Sequence, residues 1–377
     1  MRLETQLIHS PHANDLATGA LSTPLVLAST FAQRDLEIKQ EFDYSRSGNP
    51  TRKALEATIA QLENGKCGFA FSSGMAATSS VLGIFASGDH IVAAEDIYGG
   101  SYRILHSFFA RWGLELTTVD ASDGAAIKAA IKPNTKAIFL ETPSNPLLKI
   151  TDLAAAIAIA KERNLITIVD NTFMTPLLQR PIELGADIVV HSATKFLGGH
   201  SDVVLGLAVA ATEELGRRIY AVQNGFGAVP SPFDCFLVLR GIKTLGVRLN
   251  AEQEGAGEIA TWLTKHSKVA AVYYPALGDH PLRETHFKQS SGAGAVLSFK
   301  THTTAIALDF LARTKLCAPA VSLGGVETIA SYPVRMSHAA IPPKERERLG
   351  ITDSLIRLSI GLENTDDLIA DFEESLK

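Results

Sequence analysis

The chain has 377 residues, 46% of them hydrophobic and 20% charged, and its net charge is −5. It is too long for one ordinary core, so two domains are expected. The acidic balance and the lack of a basic run argue against a nucleic-acid partner, and no apolar run reaches membrane-spanning length.

The amino-terminal stretch Met1-Arg-Leu-Glu-Thr-Gln lacks the apolar core of a secretory signal, so a cytoplasmic protein without a membrane partner is expected. Three cysteines, Cys67, Cys235 and Cys317, are odd in number and far apart. That spacing suits small core residues better than a disulfide or zinc framework.

Residues 1–48 are rich in Pro, Thr, Ser and Asn and show little periodicity, so they read as an extended arm. Within it Tyr44 and Arg46 alternate and would point the same way on an extended chain. The pair suits a phosphate clamp, and equally an exposed turn. Asn49-Pro50-Thr51 then opens a helix, with proline in its first turn.

Residues 49–243 alternate strand and helix. Apolar runs recur at 69–71, 90–93, 114–119, 137–140, 165–169, 188–190 and 203–209. Helical patterns at 53–62, 75–85, 102–112, 153–163 and 213–222 separate most of them. This predicts an α/β fold with a doubly wound, mostly parallel, seven-stranded sheet. The short turn at Gly198-Gly199 leaves the seventh strand free to run antiparallel. Near residue 244 the pattern changes to a long helix over 243–265. Strands at 269–273, 295–299 and 355–360 follow, with helices at 304–312 and 366–376, so residues 244–377 read as a smaller α+β domain.

Polar residues stand where the strands end, the place open α/β sheets keep their ligands. Ser73-Gly74-Met75 can hold a phosphate on helix amides, or simply cap a turn. Tyr98, in Asp96-Ile-Tyr-Gly-Gly100, can stack on a flat cofactor or pack on the sheet. Asn145, in Glu141-Thr-Pro-Ser-Asn145, can bond a ring oxygen, bond a carboxylate, or make a turn. Asp170 closes an apolar strand with no second carboxylate or histidine at metal spacing, so no metal is expected; a buried cation such as a pyridinium nitrogen would suit it. The stretch Asp187 to Asp202 brings Ser192 and Thr194 to the same edge, then Lys195. A desolvated lysine is a nucleophilic amine that forms Schiff bases with carbonyls, pyridoxal phosphate included; an exposed loop lysine has the same letters. Arg357 is a lone arginine in the strand pattern 355–360. It is costly to bury unless it clamps an anion such as an amino-acid carboxylate, and an edge strand facing water is the rival. Together these residues are the equipment for pyridoxal phosphate and an amino acid.

At Tyr44-Ser-Arg-Ser-Gly-Asn-Pro-Thr-Arg52, Ser73-Gly-Met75, Val169-Asp-Asn-Thr172, His191-Ser-Ala-Thr-Lys195, Gly199-His-Ser-Asp202, Ser322-Leu-Gly-Gly325 and Ile356-Arg-Leu-Ser-Ile-Gly361, the sequence resembles the Cys/Met-metabolism family of pyridoxal-phosphate enzymes. The resemblance runs from about Thr5 to Leu376. It implies an aspartate-aminotransferase-like fold (fold type I) and pyridoxal 5'-phosphate joined to Lys195. It also implies that Asp170 pairs with the ring nitrogen, Tyr98 stacks on the ring, and Gly74, Met75, Ser192 and Thr194 hold the phosphate. Tyr44 and Arg46 would reach the phosphate of a neighbouring subunit, so the family's homotetramer, a dimer of dimers, is expected. Asn145, Ser322 and Arg357 would take the substrate carboxylate. Glu327 and Asp43 would receive the distal amino group of cystathionine. Gly100 stands where methionine γ-lyases usually carry a cysteine, which argues against methionine as the main substrate.

Residues 227–234 and 322–328 look most like cystathionine γ-lyases. The reaction implied is γ-elimination of L-cystathionine to L-cysteine, 2-oxobutanoate and ammonia, a transsulfuration lyase of sulfur amino-acid metabolism. Cystathionine β-lyase and cystathionine γ-synthase are the alternatives. Arg335 departs from the family pattern beside the distal pocket.

Overall fold

The computed structural model describes all 377 residues. Seven strands form the larger sheet: β1 (Cys67–Phe71), β2 (His90–Ala94), β3 (Glu115–Val119), β4 (Thr135–Glu141), β5 (Ile166–Asp170), β6 (Ile188–Ser192) and β7 (Gly206–Ala210). Their order is β1-β7-β6-β5-β4-β2-β3. Strands β2 to β6 pair in parallel. Their apolar runs are unbroken because both faces are covered by helices. Every residue of β2 and β7 is buried.

β7 runs antiparallel to both β1 and β6. No helix separates it from β6, so the chain turns back through Gly198 and Gly199 instead of crossing the sheet. The turn needs glycine: Gly199 has φ +72°, and a Cβ there would lie 2.1 Å from the Arg248 guanidinium.

The helices sit close to their expected spans. The first long one, Pro50–Leu62, starts where Asn49 accepts bonds from the Thr51 and Arg52 amides. Six helices carry too weak a pattern to stand out in the sequence, among them Leu3–Ile8, which breaks the expected extended arm and buries Leu7. Gly124–Ala130 has seven residues, mostly alanine, and Pro232–Ile242 announces itself only by its Ser231-Pro232 start.

The second sheet contains β8 (Val269–Tyr273), β9 (Val296–Thr301), β10 (Ala318–Pro319), β11 (Ile329–Ser331) and β12 (Leu355–Ser359), in the order β10-β11-β12-β9-β8. The long helix Leu245–Leu263 and the helices Thr304–Arg313 and Thr365–Ser375 cover one face. There Phe310 lies between Phe299 and Phe372, with ring centroids 5.4 and 5.3 Å apart. Ile356 and Leu358 of β12 point into that core. Strand alternation therefore turns Arg357 to the opposite face, toward the larger sheet.

The arm before Asn49 leaves Leu16, Leu21, Leu27 and Leu36 exposed. No helix is long and apolar enough to cross a membrane.

Gly206 pairs with Phe71 on one side and with Ser192 on the other. A Cβ there would lie 2.0 Å from the Ser73 carbonyl oxygen. Gly206→Ala is expected to destabilise the protein by about 1–3 kcal/mol through this clash. An unchanged midpoint in urea-induced unfolding would contradict the packing described.

Candidate active site

A cavity of about 420 Å³ opens at the carboxyl ends of the parallel strands. Its walls come from the ends of β1, β4, β5 and β6, from the start of the helix Gly99–Ser107, and from Arg357 of the second sheet. Polar groups gather here because a parallel sheet finishes all its strands along one rim.

Lys195 follows β6 and extends into the cavity, where its Nζ lies 2.5 Å from Ser322 Oγ. Burial, and then the nearby Arg357 charge, bring its amine down to about 8. Ser322 has φ +90°, a conformation rare for a residue with a Cβ.

Asp170 closes β5. Its Oδ1 accepts the Thr172 hydroxyl at 2.6 Å and the Thr172 amide at 3.1 Å. Burial pushes this carboxyl up, more than the Thr172 bonds pull it down. It forms no ion pair. The same Thr172 hydroxyl oxygen accepts the Ser192 amide at 2.9 Å. One hydroxyl thus joins Asp170 to the next strand end.

That strand end meets a helix start. Ser73 caps the helix Gly74–Leu82, its Oγ accepting the Ala76 amide at 3.0 Å. Gly74 lies so close to β6 that a Cβ on it would be 2.8 Å from Ser192 Cβ. Free amides of a first helical turn, a positive dipole end and two hydroxyls, Ser192 and Thr194, therefore line one end of the cavity. Thr194 Oγ1 also accepts the Leu205 amide at 3.1 Å.

Tyr98 sits at the mouth, 42% exposed. Its ring folds back on its own helix, and Gly100 makes room for it: a Cβ on Gly100 would be 2.4 Å from the ring. On the far wall, Arg357 is buried. Its guanidinium donates to Asn145 Oδ1 at 2.9 Å, to the Ser322 carbonyl at 2.7 Å and to Ser331 Oγ at 3.0 Å. Its Nε has no partner. Burial lowers it to about 10, and no carboxylate pairs with it. A buried guanidinium without a counter-anion is a place for one.

Of the residues singled out in the sequence, Lys195, Asp170, Tyr98, Gly74, Met75, Ser192, Thr194, Asn145, Ser322 and Arg357 line this one cavity. Four do not. Tyr44 and Arg46 lie elsewhere on the surface, where Arg46 donates to the Asn224 carbonyl at 2.8 Å and lies 5.5 Å from the Tyr44 ring centre. Asp43 is exposed, its carboxylate taken by the Tyr44 amide. Glu327 requires a correction: it is exposed, its Oε2 accepts Ser201 Oγ at 3.1 Å, and it does not line the cavity. The chain turns at Gly324 and Gly325, which directs Ser322 inward and Glu327 outward. Arg335 also points away, its guanidinium 5.8 Å from the Tyr332 ring centre.

Two charged residues of the wall were not selected from the sequence. Glu141, the last residue of β4, was read only as the start of a turn. Arg103, on an exposed stretch of the helix Gly99–Ser107, carries no signal beyond that of a solvated helix face. Arg103 has no ion-pair or hydrogen-bond partner.

The cavity therefore combines an easily deprotonated amine, a carboxylate without a cation, an anion-binding end and a guanidinium without an anion. The model of the family described as "Cys/Met metabolism PLP-dependent enzyme" matches residues 4–377. Cystathionine β-lyase MetC of Bacillus subtilis is 55% identical, covering 100% of this chain and 96% of the relative. Cystathionine γ-lyase of the same organism is 48% identical, covering 100% of both chains. The crystal structure of cystathionine γ-lyase from Lactobacillus plantarum complexed with L-serine superposes with a TM-score of 0.98 at 46% identity, covering 100% of this chain and 98% of that one. A family match along nearly the whole length, with relatives at this level of identity, settles the wider question: this chain belongs to the Cys/Met-metabolism family of pyridoxal-phosphate-dependent enzymes.

Proposed function

We propose that the chain cleaves a carbon–sulfur bond of L-cystathionine by γ-elimination: cystathionine and water give L-cysteine, 2-oxobutanoate and ammonia. The observation that carries this reading is the pairing, in one cavity, of the Lys195 amine with an Arg357 guanidinium that lacks a counter-anion.

The residues fit pyridoxal phosphate. Asp170 would hold the protonated ring nitrogen, the cation its buried carboxyl lacks. Gly74, Met75, Ser192 and Thr194 would hold the phosphate where Gly74 and Ser192 approach too closely for a Cβ on Gly74. Tyr98 would lie on the ring. When bound, the group supplies an aldehyde that condenses with amines and a ring that accepts the electron pair of a broken Cα–H bond.

Arg357, with Asn145 and Ser322 beside it, takes the substrate α-carboxylate and so fixes which Cα bond faces the ring. Lys195 takes the Cα proton, then moves a proton at Cβ so that sulfur can leave from Cγ. Ser322 Oγ holds the amine in place between these transfers. Tyr98 stands at the mouth, where its hydroxyl can protonate the departing sulfur. Arg103, also at the mouth and unpaired, suits the second carboxylate of cystathionine. It would bind the distal carboxylate, a different group from the distal amine expected to meet Glu327.

Tyr44 and Arg46, exposed on the single chain, would serve the phosphate of a neighbouring copy. The exposed leucines of the arm give such a dimer apolar contact, and two dimers would make the family's tetramer. A cytoplasmic setting goes with this reading.

A second reading, β-elimination to L-homocysteine, pyruvate and ammonia, is favoured by the 55% identity to a cystathionine β-lyase. It needs only the first of the two proton transfers by Lys195. Incubation with L-cystathionine decides between them: 2-oxobutanoate with cysteine supports γ-elimination, and pyruvate with homocysteine overturns it. Cystathionine formed from an O-acylated homoserine and cysteine, with no keto acid from cystathionine, would make the chain a synthase.

Arg103→Ala is expected to raise KM for cystathionine about tenfold, by removing one charge-assisted bond. KM for an S-methylated substrate without the distal carboxylate should hardly move; equal losses on both substrates would remove Arg103 from this role. In cofactor-free protein, only the deprotonated Lys195 attacks an aldehyde. Its adduct formation with added pyridoxal phosphate should therefore rise through about pH 8 and level off above it. A rate still climbing toward the ordinary lysine value of 10.5 would show that burial does not lower this amine.

A further inference from the structure

Glu141 has no role in the reaction as described, yet it occupies a demanding position. It ends β4, is 6% exposed and lines the cavity. In the parallel register it stands beside Asp170 of β5. Residues abreast on neighbouring strands project to the same side, so two carboxyls share one corner of the cavity. No lysine or arginine pairs with Glu141. The charged groups that face it are Asp170, Asp96 beyond β2, and Arg357 of β12. Its side chain makes one hydrogen bond: Oε2 accepts the backbone amide of Tyr98 at 2.7 Å.

That amide needs an acceptor. Tyr98 occupies the cap position before the helix Gly99–Ser107, with φ −45° and ψ 132°, and no cap side chain holds it. Its backbone is the pivot of the ring at the cavity mouth. A side chain from the sheet fixes this pivot, so the ring's position is tied to β4 as well as to its own helix.

We infer that Glu141 is a positioning residue: an uncharged acid that anchors the backbone of Tyr98 and leaves the negative charge of this corner to Asp170. Two carboxyls so close in a water-poor corner do not both ionise. Asp170 has two bonds from Thr172 to support its charge, and Glu141 has one amide bond, which a neutral oxygen also accepts. Burial and the Asp170 charge both push the Glu141 carboxyl well above the ordinary carboxylate range, in keeping with the geometry.

This inference rests on the reading that Tyr98 lies on the cofactor ring, so its test includes a check of that reading. In the holoenzyme, Glu141→Ala should weaken retention of pyridoxal phosphate about tenfold, because the Tyr98 amide loses its only acceptor. It should also reduce the circular dichroism induced in the cofactor band, which reports the ring's surroundings. Glu141→Gln keeps the acceptor without a charge. It should match the wild type in both readouts, and the pH midpoint of the cofactor's absorbance should stay where it was.

Wild-type retention and dichroism in Glu141→Ala would overturn the positioning role. A shift of about one pH unit in Glu141→Gln, the mark of a lost negative charge, would overturn the neutral acid. If Glu141→Ala does not fold, the Glu141→Gln midpoint alone decides: a shift rejects the proposal and its absence upholds it. Tyr98→Ala separates the two failures. If it leaves the dichroism unchanged, the stacking reading is wrong; if it changes the dichroism and Glu141→Ala does not, only the role of Glu141 is wrong.

Discussion

Two positive side chains share one residue. Lys195 lies against the Ser322 hydroxyl, and Arg357 donates to the Ser322 carbonyl. Neither has a carboxylate partner. Burial makes both charges harder to hold, and the Arg357 charge lowers the Lys195 amine further. The result is an amine that gives up its proton near neutral pH beside a guanidinium that keeps its own. Those are different tasks, assigned by the same local field: lysine responds to desolvation by losing charge, while arginine retains it and waits for an anion. Ser322 is held in a backbone conformation that residues with side chains seldom adopt, which is how one position can face both groups.

The rest of the architecture serves this meeting. Lys195 comes from the larger sheet and Arg357 from the smaller, so the site exists only where the two sheets face each other. The alternation of β12 decides the matter on one side: Ile356 and Leu358 are buried in the second core, which forces Arg357 out of it. On the other side, the common direction of β4, β5 and β6 brings Glu141, Asp170 and Ser192 to one rim. Hydrogen bonds then tie the rim together laterally, through the Thr172 hydroxyl between Asp170 and Ser192 and through Glu141 to Tyr98.

Much of this was legible in the sequence, and for a physical reason. Buried parallel strands are unbroken apolar runs, so the polar residue that ends each run stands out. Asp170, the hydroxyls before Lys195, and Ser73-Gly74 were visible in that way. Arg357 was visible as a charge within an apolar alternation. Glu141 ends a strand too, but a glutamate before Thr-Pro looks like ordinary turn chemistry. Its bond to Tyr98 joins residues 43 positions apart. Arg103 was invisible, because an arginine on an exposed helix stretch has no local signature of the cavity beside it. Glu327 misled for the opposite reason: it is close in sequence to Ser322, but two glycines turn the chain between them.

The floor and the mouth of the cavity are built from different materials. At the floor, Gly206 pairs with Phe71 and Ser192 at once and Gly74 presses on Ser192, so backbone meets backbone with no space for even one methyl. The mouth is made of side chains on loops and on a helix face, among them Arg103, Tyr98 and Ser337. Substitutions at the mouth are cheap, and those at the floor are not. A lineage built on this scaffold is thus free to exchange one thioether for another while remaining bound to a single prosthetic group, and closely similar chains can part company over which side of the sulfur they cut.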